Sequence, residues 1–190
     1  LSNAAHVRGT DRLIDIAAAL KALGRRDVVI VAAGDMHLGG RWPAPYDAFA
    51  RDGKTLADVA AAQGLADYFL FLGHVPDPER VLAGADLLLK PTREDNPWGR
   101  DVLEALAAGC PVISVGSDAT FVETGVTGML QPRFDADAAA QAIAVLADDR
   151  ASLASMGDAA RARVAKLCNG PGRARELTEL WCDAVARHGA

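Results

Sequence analysis

The chain has 190 residues, which is enough for one domain with a complete hydrophobic core. Its composition is 51% hydrophobic but only 5% aromatic, which favours helices packed on a sheet over an aromatic-rich β-sandwich. The net charge of −5 lacks the basic excess typical of nucleic-acid binding, so we expect no nucleic-acid partner.

Cysteine usage and hydropathy limit the cellular compartments in which we expect the chain. Three widely spaced cysteines form no CxxC or Cys/His pattern, so we expect no metal site and a reducing, cytoplasmic compartment. No apolar run approaches the ~18 residues of a membrane span, and no signal peptide is recognisable. The chain has no initiating Met and no opening strand of useful length. We therefore expect it to be part of a longer protein, whose missing part would decide any peripheral membrane association.

The predicted elements begin with a helix at 9–24, capped by Thr10 or Asp11. The β-branched run at 27–34 predicts a strand buried on both faces, as in a parallel sheet. Residues 37–54 are rich in Gly, Pro and aromatics and are too long for an ordinary connection, which predicts an insertion or a mobile loop.

The rest of the chain alternates between the two kinds of element. Helices are predicted at 55–65, 77–85, 99–108, 136–147, 150–167 and 173–188, and strands at 68–75, 86–92, 110–116 and 127–132. Such alternation predicts right-handed crossovers and one parallel sheet flanked by helices, a Rossmann-like α/β fold. Ligands of these sheets bind beyond the carboxyl ends of the strands. The loops expected there are 34–54, 73–77, 91–99 and 116–120.

The stretch "PTREDNPWGRDVLEALAAGCPVISVG" (91–116) concentrates polar chemistry in one of these loops. Trp98-Gly99 opens a helix whose first N–H groups can hold a phosphate or sugar oxygen. Three residues that can hydrogen-bond sugar hydroxyls lie upstream: Glu94, Asp95 and Asn96.

Each acidic residue also has a simpler interpretation. Glu104 can form an ion pair with Arg100, four residues earlier, on an exposed helix face. Glu94 and Asp95 can belong to a solvated loop. The chain lacks GxGxxG, GxxxxGK[ST], HExxH and GxSxG, so it carries no fingerprint of a dinucleotide fold, a P-loop, a zinc protease or a serine hydrolase.

The run "FLGHV…ADLLLKPTRE…WGRDVLEALAAGCPVIS…GVTGML" resembles the C-terminal, donor-binding domain of GT-B glycosyltransferases, and it fits best the retaining family GT4. The resemblance implies that residues 1–172 form one Rossmann-like half of a GT-B fold. It also implies that a helix at 173–190 returns to an N-terminal acceptor domain absent from this chain. The implied activity of the full-length protein is transfer of a hexosyl group from a nucleotide-sugar (NDP-sugar), without a metal or other cofactor. The fragment alone is expected to be inactive.

The resemblance also implies roles for individual residues at the helix start. Glu104 matches the glutamate that binds the ribose hydroxyls of the nucleotide. Trp98-Gly99 matches the aromatic-glycine pair that faces the sugar and the diphosphate, with Arg100 beside it. Asn96 stands where the family has its first glutamate. Asn96 can still bond a sugar hydroxyl, or Glu94 or Asp95 can reach the donor sugar instead.

The diphosphate is implied to lie at Arg8-Gly9, which matches a Lys-Gly pair of the family. Asn3 stands where the family has an Arg, a loss that should weaken diphosphate binding. The residues implied to be catalytic are therefore Arg8, Glu94 and Asn96.

Two further segments match donor-binding parts of the family. His74 and Val75 lie in "LGHV", whose backbone is implied to contact the nucleobase. Gly116 and Ser117 lie in a turn implied to approach the phosphates, where the family normally has Gly-Gly.

Two other functions remain compatible with the sequence. The Asn3 and Asn96 departures are consistent with a non-catalytic nucleotide or sugar-phosphate binding module. Another GT-B enzyme, such as a sugar-nucleotide epimerase or a phosphorylase, is also compatible. A phosphorylase needs a lysine for pyridoxal phosphate, and nothing around Lys90 supports that role.

Overall fold

The computed structural model describes residues 3–188, which form parallel strands flanked by helices. The strands are β1 (Ile30–Ala33), β2 (Phe69–Gly73), β3 (Leu88–Lys90), β4 (Val112–Val115) and β5 (Gly128–Gln131). The helices are α1 (Arg12–Ala22), α2 (Tyr46–Arg51), α3 (Leu56–Ala62), α4 (Pro78–Ala83), α5 (Arg100–Ala108), α6 (Ala136–Asp148), α7 (Arg150–Leu167) and α8 (Gly170–His188). The predicted order of elements is therefore confirmed, with shorter strands.

The strands form two parallel sheets rather than one. β1 pairs with β2, and β3, β4 and β5 pair in that order. The prediction of a single sheet is wrong for the described residues because β1 and β3 do not bond to each other. A cleft of about 810 Å³, here called the central cleft, lies between them.

Two apolar clusters hold the helices on the strands. The first joins α1, α3 and α6 to β1 through side chains such as Ile14, Leu56 and Ile143. The second joins α5 and α7 to β4 through side chains such as Val102 and Leu106. The result is the predicted Rossmann-like α/β architecture.

Cys110 belongs to the second cluster, as expected of a small core residue. It is 2% exposed, and burial raises the pKa of its thiol to about 12.

The strand at 27–34 was predicted to be buried on both faces, and that prediction is wrong. Ile30 and Ala32 are buried, but Val29 and Val31 are 53% and 41% exposed. Leu70 lies opposite Val31 in the neighbouring strand and is also exposed. One apolar face of the β1–β2 sheet is thus left uncovered by the described residues.

Residues 37–54, predicted to be an insertion or a mobile loop, contain a helix and buried aromatic side chains. The segment contains α2, and Trp42 and Tyr46 are buried against the first cluster. The Trp42 indole N–H donates to the Gly39 carbonyl at 3.0 Å. The Tyr46 hydroxyl donates to the Asp11 carbonyl at 3.2 Å. Trp42 and Tyr46 are therefore core residues.

Side-chain capping is present at α3 but not at α1, where it was predicted. Thr55 forms a capping box with Asp58 at the start of α3. At α1, neither Thr10 nor Asp11 caps with its side chain. The Asp11 carboxylate instead binds Arg93, a partner distant in sequence.

The last helix, α8, begins at Gly170 rather than at 173 and has no buried side chain. Leu180, Trp181 and Val185 are each more than 60% exposed. The side chains of α8 therefore do not pack into the core of the described residues. Within residues 3–188, no helix is long and apolar enough to cross a membrane.

Candidate functional site

The carboxyl ends of β1, β2 and β3 lie at one end of the sheets. The Gly34 N–H donates to the Gly73 carbonyl at 2.7 Å, which joins the ends of β1 and β2. The Ala4 N–H donates to the Asp35 carbonyl, also at 2.7 Å. The Arg93 N–H donates to the Val7 carbonyl at 3.0 Å. Residues 3–7 therefore bridge the loops that follow β1 and β3.

Five of the residues predicted to bind the donor line the central cleft at this end. They are Arg8, Glu94, Asn96, Arg100 and Glu104. We call this set the mouth of the cleft. It combines two guanidinium groups with two carboxylates and one amide, a set that can bind phosphate oxygens and sugar hydroxyls together.

Arg8 is held at the mouth by a tight turn. Gly9 has a φ of +68°, and a Cβ at that position would lie 1.8 Å from the Pro91 carbonyl oxygen. The turn therefore packs directly on the end of β3. Arg8 itself is exposed, and within residues 3–188 its guanidinium has no hydrogen-bond or ion-pair partner.

The sequence analysis missed Arg93, which fixes this turn. Its guanidinium donates to both Asp11 carboxylate oxygens, at 2.7 and 2.6 Å, and to the His6 carbonyl at 2.6 Å. Asp11 is almost fully buried, and its hydrogen bonds with Arg93 raise the pKa of the Arg93 guanidinium. We call these contacts the Arg93 clamp. Arg93 and Asp11 are 82 positions apart, so no local pattern in the sequence indicates that they form a pair.

The start of α5 lies beside the mouth. Gly99 is the N-cap, with a φ of +154°, and a Cβ there would approach the Lys90 ammonium and the Asp101 carboxylate within 3.0 Å. Lys90 donates to Asp101 at 2.8 Å, so the ammonium is already paired. Free N–H groups of the first helical turn remain available to an anion.

Glu104 lies one turn further along α5. Its carboxylate is 3.5 Å from the Arg100 guanidinium, and its side chain is 41% exposed. The simple i,i+4 ion pair therefore exists. It does not remove Glu104 from the mouth, because both partners line the cleft. An exposed pair of this kind is weak and can be exchanged for a ligand hydroxyl.

Asp95 is engaged by the turn after β4. The Ser117 N–H donates to one carboxylate oxygen at 2.7 Å, and the Ser117 hydroxyl donates to the other at 2.6 Å. These bonds lower the pKa of Asp95 below its ordinary value. We call them the Asp95–Ser117 clasp. Asp95 therefore holds the 91–99 loop, whereas the Glu94 carboxylate has no hydrogen-bond or ion-pair partner among residues 3–188.

The other predicted donor-binding residues do not line the cleft. The Asn3 side chain accepts from the Asp35 N–H at 3.0 Å. Trp98 is 44% exposed and packs on Phe121 with ring centroids 5.7 Å apart. His74 and Val75 follow β2 at the same end of the sheets, and His74 is exposed.

Gly116 joins the clasp to the sheet. It is buried, and its N–H donates to the Gln131 carbonyl at 2.9 Å. Within residues 3–188, no group of three or more His, Cys, Asp or Glu side chains could hold a metal ion.

Comparison with known proteins identifies the family. The sequence model of the glycosyl transferases group 1 family matches residues 1–149. The chain belongs to the glycosyl transferases group 1 family. This match includes the Arg8 turn, the 91–99 loop and α5, so the resemblance seen in the motifs is confirmed.

A curated relative in this family is the lipopolysaccharide core biosynthesis mannosyltransferase LpcC of Rhizobium leguminosarum. It is 37% identical over 123 residues, which cover 64% of this chain and 34% of the relative. A D-inositol 3-phosphate glycosyltransferase of Thermobispora bispora is 34% identical over 136 residues, 70% of this chain and 31% of the relative. The chain thus spans about a third of the length of these relatives.

A solved structure of the same architecture is Anabaena HepE in complex with UDP. It matches 94% of this chain and 48% of its own with a TM-score of 0.73, at 22% identity. At this identity the match shows the fold alone. The Rossmann-like α/β fold predicted from the sequence is therefore confirmed.

Proposed function

We propose that this domain binds an NDP-sugar at the mouth of the central cleft. The observation that carries the proposal is the grouping of five predicted donor-binding side chains at one end of the sheets in a glycosyl transferases group 1 domain. A diphosphate needs cations and helix N–H groups, and a ribose or hexose needs carboxylates and amides. The mouth offers both kinds of group within one cleft.

The diphosphate is assigned to the Arg8 side of the mouth. Arg8 is an unpaired guanidinium among the described residues, and the α5 N-terminus adds a positive partial charge. Both would neutralise the charge that develops on the departing diphosphate. No metal is required in this scheme.

The two sugar rings are assigned to the acceptor groups. Glu104 would exchange its Arg100 pair for the ribose hydroxyls. Asn96 and Glu94 would orient the transferred hexose, while Asp95 keeps the loop in place through Ser117. The backbone at His74 and Val75 would face the nucleobase.

The full-length protein would then be a retaining hexosyltransferase. Its acceptor would bind on an N-terminal domain, against which the exposed apolar side of α8 would pack. LpcC of Rhizobium leguminosarum, named as a mannosyltransferase, supports hexosyl transfer, and the UDP in HepE supports a nucleotide ligand.

Calorimetric titration of UDP-, GDP- and ADP-sugars into the chain tests the binding proposal. We expect one of them to bind, and Arg8→Ala or Glu104→Gln to weaken it about 10- to 100-fold, the cost of one charged hydrogen bond. Glu176→Gln is the matched control, since Glu176 is also paired with an arginine but lies on α8. Equal affinity of Glu104→Gln and Glu176→Gln would contradict the assignment.

A non-catalytic binding module is the second candidate. It is favoured by the sugar end of the mouth, where Asn96 is an amide and Asp95 is engaged by Ser117. The full-length protein distinguishes the two functions. Transfer from the donor that binds supports the enzyme, and tight binding without transfer to any acceptor in a sugar and lipid panel supports the module.

A further inference from the structure

An ion pair between Lys90 and Asp101 lies where the end of β3 meets the start of α5. The Lys90 ammonium donates to both carboxylate oxygens of Asp101, at 2.8 and 3.0 Å. The two side chains are only 15% and 32% exposed, and both line the central cleft. An ammonium group has three N–H donors, and the third has no acceptor among residues 3–188. The pair can therefore donate one more hydrogen bond to a group bound in the cleft.

Lys90 adjoins both parts of the domain that we assign to the diphosphate. A Cβ on Gly99, the N-cap of α5, would lie 3.0 Å from the Lys90 ammonium. The turn that carries Arg8 packs on the carbonyl of Pro91, the residue that follows Lys90. A phosphate bound between Arg8 and the α5 N-terminus would therefore lie close to the Lys90 ammonium.

Asp101 limits the positive charge that Lys90 adds to the cleft. The N-terminus of α5 carries a positive partial charge, which disfavours a neighbouring ammonium. Asp101 lies in the first turn of α5, where its carboxylate offsets that repulsion and neutralises Lys90. The two side chains together thus offer a hydrogen-bond donor without a net charge. Such a donor can bond a phosphate oxygen, but it does not compensate an additional negative charge.

The proposed donor and its product differ in the charge of the terminal phosphate. In an NDP-sugar this phosphate is esterified and carries a single negative charge. In free NDP the same phosphate has a second pKa of about 6, so at pH 8 it carries about two negative charges. A neutralised Lys90 therefore favours the ester over the free diphosphate, compared with a lysine that has no acidic partner.

We propose that the Lys90–Asp101 pair contacts the terminal phosphate and lets the site distinguish the NDP-sugar from free NDP by charge. Lys90 would donate one hydrogen bond to the phosphate. The Asp101 carboxylate would repel the additional charge of the product and so favour its release. Lys90 is then a donor-binding residue, and Asp101 is a positioning residue that acts through it. This inference rests on the proposed donor site and adds a preference for ligand charge to it.

The ratio of two dissociation constants tests the pair. UDP, GDP and ADP and their glucose esters are titrated into the chain at pH 8, and the Kd of the diphosphate is divided by the Kd of its ester. We expect Asp101→Asn to lower this ratio about 3- to 10-fold, because the freed ammonium attracts the additional charge of the diphosphate. Lys90→Met should raise the ratio by a similar factor, because the unpaired carboxylate repels that charge. Partial unfolding of a variant changes the number of binding sites but not this ratio.

Asp86→Asn is the matched control. Asp86 pairs with Arg150 and lines the same cleft, but it precedes β3 and so lies at the opposite end of that strand from Lys90. Its substitution removes the same charge and should leave the ratio within about twofold, because the separation and the salt weaken its effect.

The outcomes separate this inference from the proposed function. If the esters bind but neither Asp101→Asn nor Lys90→Met changes the ratio, or if Asp86→Asn changes it equally, the inference is overturned and the donor site stands. If none of these diphosphates and esters binds, both are overturned.

Discussion

At the scale of single residues, Gly9 sets the position of the Arg8 guanidinium. We predict that Gly9→Ala destabilises the fold by about 1–3 kcal/mol more than Gly24→Ala, because the new methyl group would overlap the Pro91 carbonyl. Gly24 has a similar φ of +73° but open space around it, so it controls for backbone strain. Urea denaturation measures both. Equal losses would show that the Gly9 turn is not packed against β3.

The Asp95–Ser117 clasp makes a prediction about pH. The pKa of Asp95 is lowered by its bonds to Ser117, so the clasp contributes stability above the ordinary value of about 3.9 and loses it as the pH falls through the lowered pKa. Ser117→Ala should return this pKa towards its ordinary value. A carboxyl-carbon NMR titration measures it. Asp58, whose pKa is lowered by Thr55, should stay unchanged in the variant.

Single residues differ in how well the sequence predicted them. Arg8 and Glu104 were predicted from their match to family motifs and Glu94 from its place in the loop before α5, and the structure places all three in one cleft. The Arg93 clamp was not predicted, because a pair between Arg93 and Asp11 depends on tertiary folding. The tertiary partner also explains why Asp11 does not cap α1.

At the scale of elements, α8 stands apart from the rest of the domain. We predict that truncation after Cys168 shifts the melting temperature by less than about 2 °C, because α8 buries no side chain. Leu153→Ala in α7 is the comparison, with an expected loss of about 2–5 kcal/mol for a buried leucine. Thermal unfolding followed by circular dichroism measures both. A drop of several degrees on truncation would mean that α8 stabilises this domain rather than a partner domain.

The kinds and order of elements were predictable because apolar periodicity is a local property of the sequence. Strand burial was not, because it depends on what covers each face. The apolar run at 27–34 is typical of a strand with two covered faces, yet Val29 and Val31 are exposed.

At the scale of the whole molecule, the proposed donor site lies within this chain, whereas the proposed enzyme also needs an N-terminal domain. We predict that the 190-residue chain binds a donor sugar but neither transfers nor hydrolyses it, because the proposed acceptor site lies on an N-terminal domain. The release of nucleoside diphosphate, measured in parallel for the chain and for the full-length protein, checks this prediction. Sustained release by the chain alone would contradict the proposed division of labour.

The Arg93 clamp has a mechanical consequence for this molecule. It ties the turn that carries Arg8 to the loop that carries Glu94 through a nearly buried ion pair and two main-chain carbonyls. The two proposed donor-binding groups are therefore held by one rigid connection, so we expect a donor bound at Arg8 through its phosphates to meet Glu94 without a rearrangement of the loop.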